Sequence, residues 1–493
     1  MRCNRPGDIN RVLPDDVLLE IFEFFVFNYG PSRYCMGTPN FRHGYARFND
    51  LIVRWQSLVH VCQRWRGIVF GSPRRLHLQL LFSTTKTPAR DTLDGWPVLP
   101  LQIHVKDRVS RTEDVDNIIA VLERSDRVNE VFLFDVDGSP LERVLAAMQE
   151  PFLELRHLLL DSSNGEAPVL PDSFLGKSAP RLQHLCLASL PFPGLPNLLF
   201  STAQLALLQL VEIPHSGYIS PEAMVTALST LTQLESLTLQ FKSPLSHPDW
   251  DSRRPLPKTR AVLPALTYFW FGGVSEYLDD LVARIDAPLL DTFFIYFFNQ
   301  ITFYTSKLIQ FIHRTPILIA LKKARVAFGD RAATVRFSTE FLFPHEVLEV
   351  NISCRELDWQ VSSLEQVLTS CMPPLSALED LYIFQAFYSD PHWQDNLENT
   401  SWLELLHPFS AAKNLYLSEE FAPRVGSALQ ELVGERTTEV LPNLQNIFLE
   451  GLRSWVPVQE DIRRFVATRQ DTGHLIGVSY WDSMKDKDLR PYQ

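Results

Sequence analysis

PRLQHLCLASL (180–190), TQLESLTLQF (232–241), SALEDLYIFQ (376–385) and PNLQNIFLEG (442–451) share one spacing of apolar residues, and that spacing sets the architecture. The shared offsets are Leu182-x-x-Leu185-x-Leu187, Leu234-x-x-Leu237-x-Leu239, Leu378-x-x-Leu381-x-Ile383 and Leu444-x-x-Ile447-x-Leu449. The last two apolar positions alternate with one outward residue, as in a short strand with one face on a core, and the first tucks in at the turn that leads into it. Between the copies, Pro221–Thr232, Glu276–Asp286, Ser363–Met372 and Pro423–Gly434 carry helical periodicity. The predicted unit is therefore a strand followed by a returning helix.

With the first apolar position as a mark, copies fall at Val128, Leu155, Leu182, Leu205, Leu234, Leu266, Leu290, Leu321, Val347, Leu378, Ala412 and Leu444. Spacings run from 23 to 34 residues and average about 29. The array resembles a degenerate leucine-rich repeat, since the Asn that often follows the strand is mostly missing. An ordinary α/β domain would also alternate strands and helices, but the recurring offset, often preceded by Pro, favours stacked copies of one unit. The expected fold class is α/β: an irregular leucine-rich-repeat-like solenoid over 128–457, with parallel strands on the concave side and helices on the convex side. LHLQLLF and WPVLPLQIHV supply first strands in a linker and cap over 77–127, and 458–493 forms a C-terminal cap and tail.

The N-terminal stretch is different. NRVLPDDVLLEIFEFFV (10–26) opens with an extended Leu-Pro step, and Asp15 and Asp16 then sit at a helix N-terminus, favourably placed in its dipole. Val17, Leu18, Ile21, Phe22 and Phe25 form an apolar face broader than so short a helix buries alone. WQSLVHVCQRWRGIVFGSPRRL (55–76) reads as a second amphipathic segment, with Leu58, Val61, Cys62, Trp65, Ile68 and Val69 on one side. Together, Leu13-Pro14, the following helix and Val61-Cys62-x-x-Trp65 resemble the F-box, in the form found in fungal F-box proteins. The region is 8–76, with a departure at about 28–50, where a polar, Gly-rich insertion replaces the family's short connection.

The resemblance implies that these helices dock on a Skp-family adaptor, which bridges to cullin and RING subunits of a ubiquitin ligase, while the repeat body holds an unidentified target protein. The chain would then be a non-catalytic substrate receptor. Carried over position by position, the adaptor-facing set is Leu13, Pro14, Val17, Leu18, Ile21, Phe22, Val61, Cys62 and Trp65, a helix-in-groove mode of recognition. A scaffold that keeps the solenoid without the ligase role is the alternative reading.

Composition is that of a folded chain. Its 493 residues are 45% hydrophobic, and a formal charge of −12 disfavours nonspecific attraction to nucleic acid or anionic membranes. Cys3, Cys35, Cys62, Cys186, Cys354 and Cys371 are scattered without a CxxC pair, which fits a reducing, intracellular setting. Residues 1–10 lack the apolar run of a secretory signal. No GxxxxGK[ST], HExxH or GxSxG motif is present, no GxGxxG follows a strand, and no cofactor or metal is expected. On an apolar helix face, Cys62 is expected to be a buried, inert thiol. Arg253, Arg254, Lys258 and Arg260, and Lys322, Lys323 and Arg325, read as solvated surface.

Leu289–Tyr304 is the most apolar stretch and reads as buried strand with flanking core, because Asp291, Asn299 and Gln300 interrupt it too early for a membrane span. By alternation, Phe269, Phe271, Phe293 and Ile295 face that core. Tyr268, Trp270, Phe294 and Tyr296 face the other way, as a candidate target-binding patch.

Overall fold

The computed structural model describes residues 13–27, 54–83, 89–105, 112–136, 138–162, 167–244, 260–339, 346–371, 375, 377–386, 398–450 and 456–481. The chain divides into two compact units between Leu210 and Val211. The insertion at about 28–50, Cys3, Cys35 and the Arg253–Lys258 run lie outside the described residues.

Among the described residues, the first unit opens with helices α1 (Asp15–Phe27), α2 (Arg54–Val59) and α3 (Gln63–Gly71). Strands β1 (Leu80–Phe82), β2 (Leu101–Val105), β3 (Val128–Leu133), β4 (His157–Asp161) and β5 (His184–Ala188) then pair in parallel and in chain order. The returns are α4 (Ala89–Gly95), α5 (Thr112–Leu122) and α6 (Gly138–Ala147), then a 3-10 turn at Phe174–Lys177 and the short α7 (Leu195–Leu199). In that 3-10 turn Gly176 has φ +57°, and a Cβ there would come within 2.6 Å of Pro151, so only glycine fits. Strand β6 (Leu207–Ile213) spans the division.

The second unit contains α8 (Pro221–Leu228), β7 (Ser236–Phe241), β8 (Ala261–Val262), β9 (Tyr268–Gly273), α9 (Ser275–Val282), β10 (Ile285–Asp286), β11 (Thr292–Phe297) and α10 (Ser306–Arg314). It continues with β12 (Lys323–Phe328), β13 (Ala332–Ser338), β14 (Leu348–Ser353), α11 (Leu357–Cys371), β15 (Asp380–Gln385), α12 (Asn399–Leu406) and β16 (Asn414–Leu417). Last come α13 (Ala422–Gln430), β17 (Asn446–Glu450), α14 (Val456–Asp471) and β18 (Gly477–Trp481). Helices α8 to α14 pack one on the next in chain order. The carboxylate of Asp279 on α9 joins two of these layers by accepting from the Lys307 and Leu308 N–H groups at the start of α10, at 2.6 and 2.9 Å.

The offset read from the sequence has a single physical basis throughout both units. All twelve marked residues are at most 4% exposed. Nine of them donate their N–H to the carbonyl three residues earlier, at 3.0–3.4 Å, closing the turn before the strand. The mixed α/β, leucine-rich-repeat-like body is thus built from one repeated turn and strand.

One expectation is overturned: the strands are not all parallel or all in chain order. In the second unit the spatial order runs β11, β14, β13, β12, β15, with β14 parallel to β11 and β13 antiparallel to both neighbours. The tight turn at Gly329–Arg331 sends the chain back, with the Gly329 N–H donating to the Ala332 carbonyl at 3.0 Å. Ala333, Val335 and Phe337 then bury fully by simple alternation. The mark at Val347 differs from the other copies, since its N–H donates to the Phe337 carbonyl of the neighbouring strand at 3.0 Å.

Candidate protein-interaction surfaces

The two halves of the N-terminal motif come together although about 50 residues separate them. Leu18, Phe22 and Val26, at i, i+4 and i+8 of α1, are buried. Phe22 meets Trp65 of α3 at a centroid distance of 4.6 Å, beside buried Leu58, Val59 and Val69. Arg64 clamps the start of α1, donating to the Leu13 carbonyl at 2.7 Å and to the Asp15 carboxylate from Nε at 2.9 Å. Arg75 and Glu23 pair at 2.8 Å on the surface.

Burial sorts the residues named from the sequence. Leu18 and Phe22 face inward and hold the module together, while Leu13, Val17, Cys62 and Trp65 are half-buried. Pro14, Ile21 (46%) and Val61 (51%) are exposed. The second segment is not one helix. It breaks at 60–62, so Val61 sits on the corner and Cys62 precedes α3, half-buried rather than packed on a helix face. The exposed set is larger than the sequence indicated: Phe24 (66%) and Phe25 (41%) lie beside Ile21 at helical spacing, and Val17 lies one turn before it.

Trp55, 1% exposed, joins this module to the first strands. Its Nε1 donates to the Gln79 carbonyl at 3.1 Å, and its ring packs on Trp96 and Phe70 at 5.4 and 6.2 Å.

On the second unit, Phe269, Phe271, Phe293 and Ile295 are buried, whereas Tyr268, Trp270, Phe294 and Tyr296 are half-buried on the face opposite the core. Strand register puts Trp270, Phe294, Glu349, Arg336, Arg325 and Tyr382 in one line across that face. The line continues as a stack of flat rings, Tyr382 on Tyr416 at 4.1 Å and Tyr416 on Phe448 at 4.5 Å. Arg325, read as solvated surface from the sequence, is 6% exposed, because its strand position points the guanidinium over the Tyr382 ring at 5.9 Å. Beside the ring stack runs an amide ladder, in which Asn446 donates to Asn414 at 2.8 Å and Asn414 to Asp380 at 2.7 Å.

The first unit carries a titratable row in register, Glu130, His157 and His184, with His104 at one side. The Glu130 carboxylate lies 3.1 Å from His157 Nδ1 and 3.5 Å from His104 Nε2, and the His157 and His184 rings are 4.5 Å apart. Burial pushes the Glu130 carboxyl up, but the two imidazoles outweigh it and hold it at about 2. Burial, then the neighbouring His157, depresses His184 to about 4.

Both folded-state values lie below the unfolded ones, so both groups contribute stability at neutral pH that is lost in acid. The His184 contribution is full above about pH 6.5 and gone below about 4, and that of Glu130 is lost between about 4.5 and 2. The urea midpoint of the first unit is therefore expected to fall from pH 6.5 downward. His184→Gln should flatten the part between 6.5 and 4, worth on the order of 3 kcal/mol. An unchanged slope in that variant would assign the acid sensitivity elsewhere.

Among the described residues, no group of three or more His, Cys, Asp or Glu is arranged to hold a metal ion, and no helix is long and apolar enough to cross a membrane.

No protein-family model and no curated protein matches the chain. Among the solved structures that match is the leucine-rich repeat-containing protein LegL7 from Legionella pneumophila, at 13% identity over 78% of this chain and 97% of that one, with a TM-score of 0.26. The repeat character of the present chain rests on its own strands and turns.

Proposed function

We propose that the chain is an F-box-type substrate receptor: the N-terminal helices bind a Skp-family adaptor, through it cullin and RING subunits, and the repeat body presents a target protein for ubiquitin transfer. The observation that carries this reading is the stripe Pro14, Val17, Ile21 and Phe25, with Phe24 beside it, on a helix whose opposite face is fixed by Phe22 against Trp65. A short helix held rigidly on one side and left apolar on the other suits insertion into a partner's groove.

The test is capture of a purified Skp-family adaptor by the full chain and by an Ile21→Asp, Phe25→Asp variant. Both positions are exposed, so the charges leave the module folded while placing two carboxylates in the contact. Capture by the wild type with a loss of roughly a hundredfold in the variant is expected. If the wild type captures no adaptor, the receptor reading fails and a non-ligase interaction scaffold takes its place.

A further inference from the structure

The line of side chains across the second unit changes character at Glu349, and the chemistry on either side of that point specifies a ligand. Trp270 lies flat on its own strand: a Cβ on Gly272 would fall 2.7 Å from the indole, so the glycine exists to let the ring down. The indole thus lies over the backbone at Gly272, on a residue that is partly exposed. Phe294 is its register neighbour, Tyr268 meets Phe294 at 5.8 Å, and Tyr296 stands opposite Gly272.

The carboxylate of Glu349 is next to Phe294 in the line, and Glu346 lies beside it. These two carboxylates share the one guanidinium of Arg336, at 3.1 and 3.3 Å. Arg325, the next cation along, sits over Tyr382. Along the line the carboxylates are the charged groups nearest the aromatic surface, with Arg336 one strand and Arg325 two strands further on, so the aromatic edge favours a positive group over a negative one. The chain's overall excess of 58 acidic over 46 basic residues points the same way.

We propose that this patch binds a lysine or arginine side chain of a partner protein, the cation lying over Trp270 and against the Glu346 and Glu349 carboxylates. This deepens the reading of the repeat body as the target-binding part and rests on it. Burial, with Glu346 beside it and Arg336 opposing, holds the Glu349 carboxyl up at about 7, so the site gains negative charge as pH rises through neutrality. The charged and titratable groups that face it are Glu346, Arg336 and Tyr268, with Arg325 beyond.

The test uses three fluorescein-labelled peptides of about 12 residues, alike except for Arg, Gln or Glu at the central positions, titrated with the full chain by fluorescence polarisation. The Arg peptide is expected to bind roughly tenfold tighter than the Gln peptide, more tightly at pH about 8 than at about 6. Glu349→Gln should remove most of that preference and flatten the pH dependence. Trp270→Leu and Gly272→Ala, which remove and lift the indole, should each weaken binding about fivefold or more. Equal binding of the Gln or Glu peptide overturns the proposal. So does Arg-peptide binding that these variants leave unchanged, or that exposed Glu142→Gln in the first unit reduces equally. Adaptor capture by the same variants stays intact, so failure here is distinct from failure of the receptor reading.

Discussion

Phe293→Ala is expected to destabilise the second unit by about 3–5 kcal/mol, whereas Phe294→Ala, one residue on, should cost less than about 1.5 kcal/mol. Phe293 is fully buried, stacks on Phe269 of the neighbouring strand at 5.0 Å and meets Phe311 of α10 edge-on at 5.8 Å. Truncation there removes contacts to two strands and to the helix layer at once, and the close-packed surroundings cannot collapse to fill the space. Phe294 stands on the open face, where water already reaches part of its ring. Chemical denaturation of the two variants measures the difference directly. Equal losses would mean that the strand does not present alternate faces to core and solvent.

The second large effect is at Trp55. Trp55→Ala should cost about 3–5 kcal/mol locally and free the α2–α3 pair from the first strands. Isolated helices of six and nine residues are too short to persist alone, so their order depends on packing. Trp55→Phe keeps the contacts with Phe70 and Trp96 but gives up the hydrogen bond to Gln79, and should cost only about 1 kcal/mol. Hydrogen exchange reads the result: amides of α2 and α3 should lose protection in the alanine variant and keep it in the phenylalanine one. Full protection in the alanine variant would show that the module is held by other contacts.

How far the chain could be read from its residues depended on which physical constraint each residue obeyed. A Leu whose N–H closes a turn and whose side chain fills a core layer obeys two local rules at one spacing. The strands beginning near Leu182, Leu234, Leu378 and Leu444 were therefore legible, and so were the faces of Phe293 and Phe294. Strand β13 obeys only alternation, with small Ala332 and Ala333, and the turn before it at Gly329–Arg331 is a hairpin turn rather than the one that closes ahead of the other copies. The marks at Leu321 and Val347 also kept an ordinary spacing, so nothing local announced that their strands are not neighbours.

At the N-terminus, apolarity identified the helix face. Which half is buried was decided by Trp65 and Arg64, about 50 residues away, so Phe24 and Phe25 emerged as exposed only in the fold. Glu130, His157 and His184 carry a local signal in the repeat pattern itself. Each stands immediately before the second apolar residue of its copy, so the three share one column of the repeat.

The inverted strand order bears on how the chain can be assembled during synthesis. In a simple repeat array each new strand finds its neighbour already in place, so growth follows translation. Here Phe293 of β11 waits for Leu348, its opposite residue in β14, while β12 is made first and belongs two places further on. At about 5–20 residues per second, the edge of β11 stays open for several seconds. During that time β12, with Ala324, Val326 and Phe328 presenting the same apolar pattern, is the nearest strand able to occupy it. The two antiparallel pairings are local in sequence, so β12, β13 and β14 can form a three-stranded unit that keeps β12 off that edge until β14 reaches it.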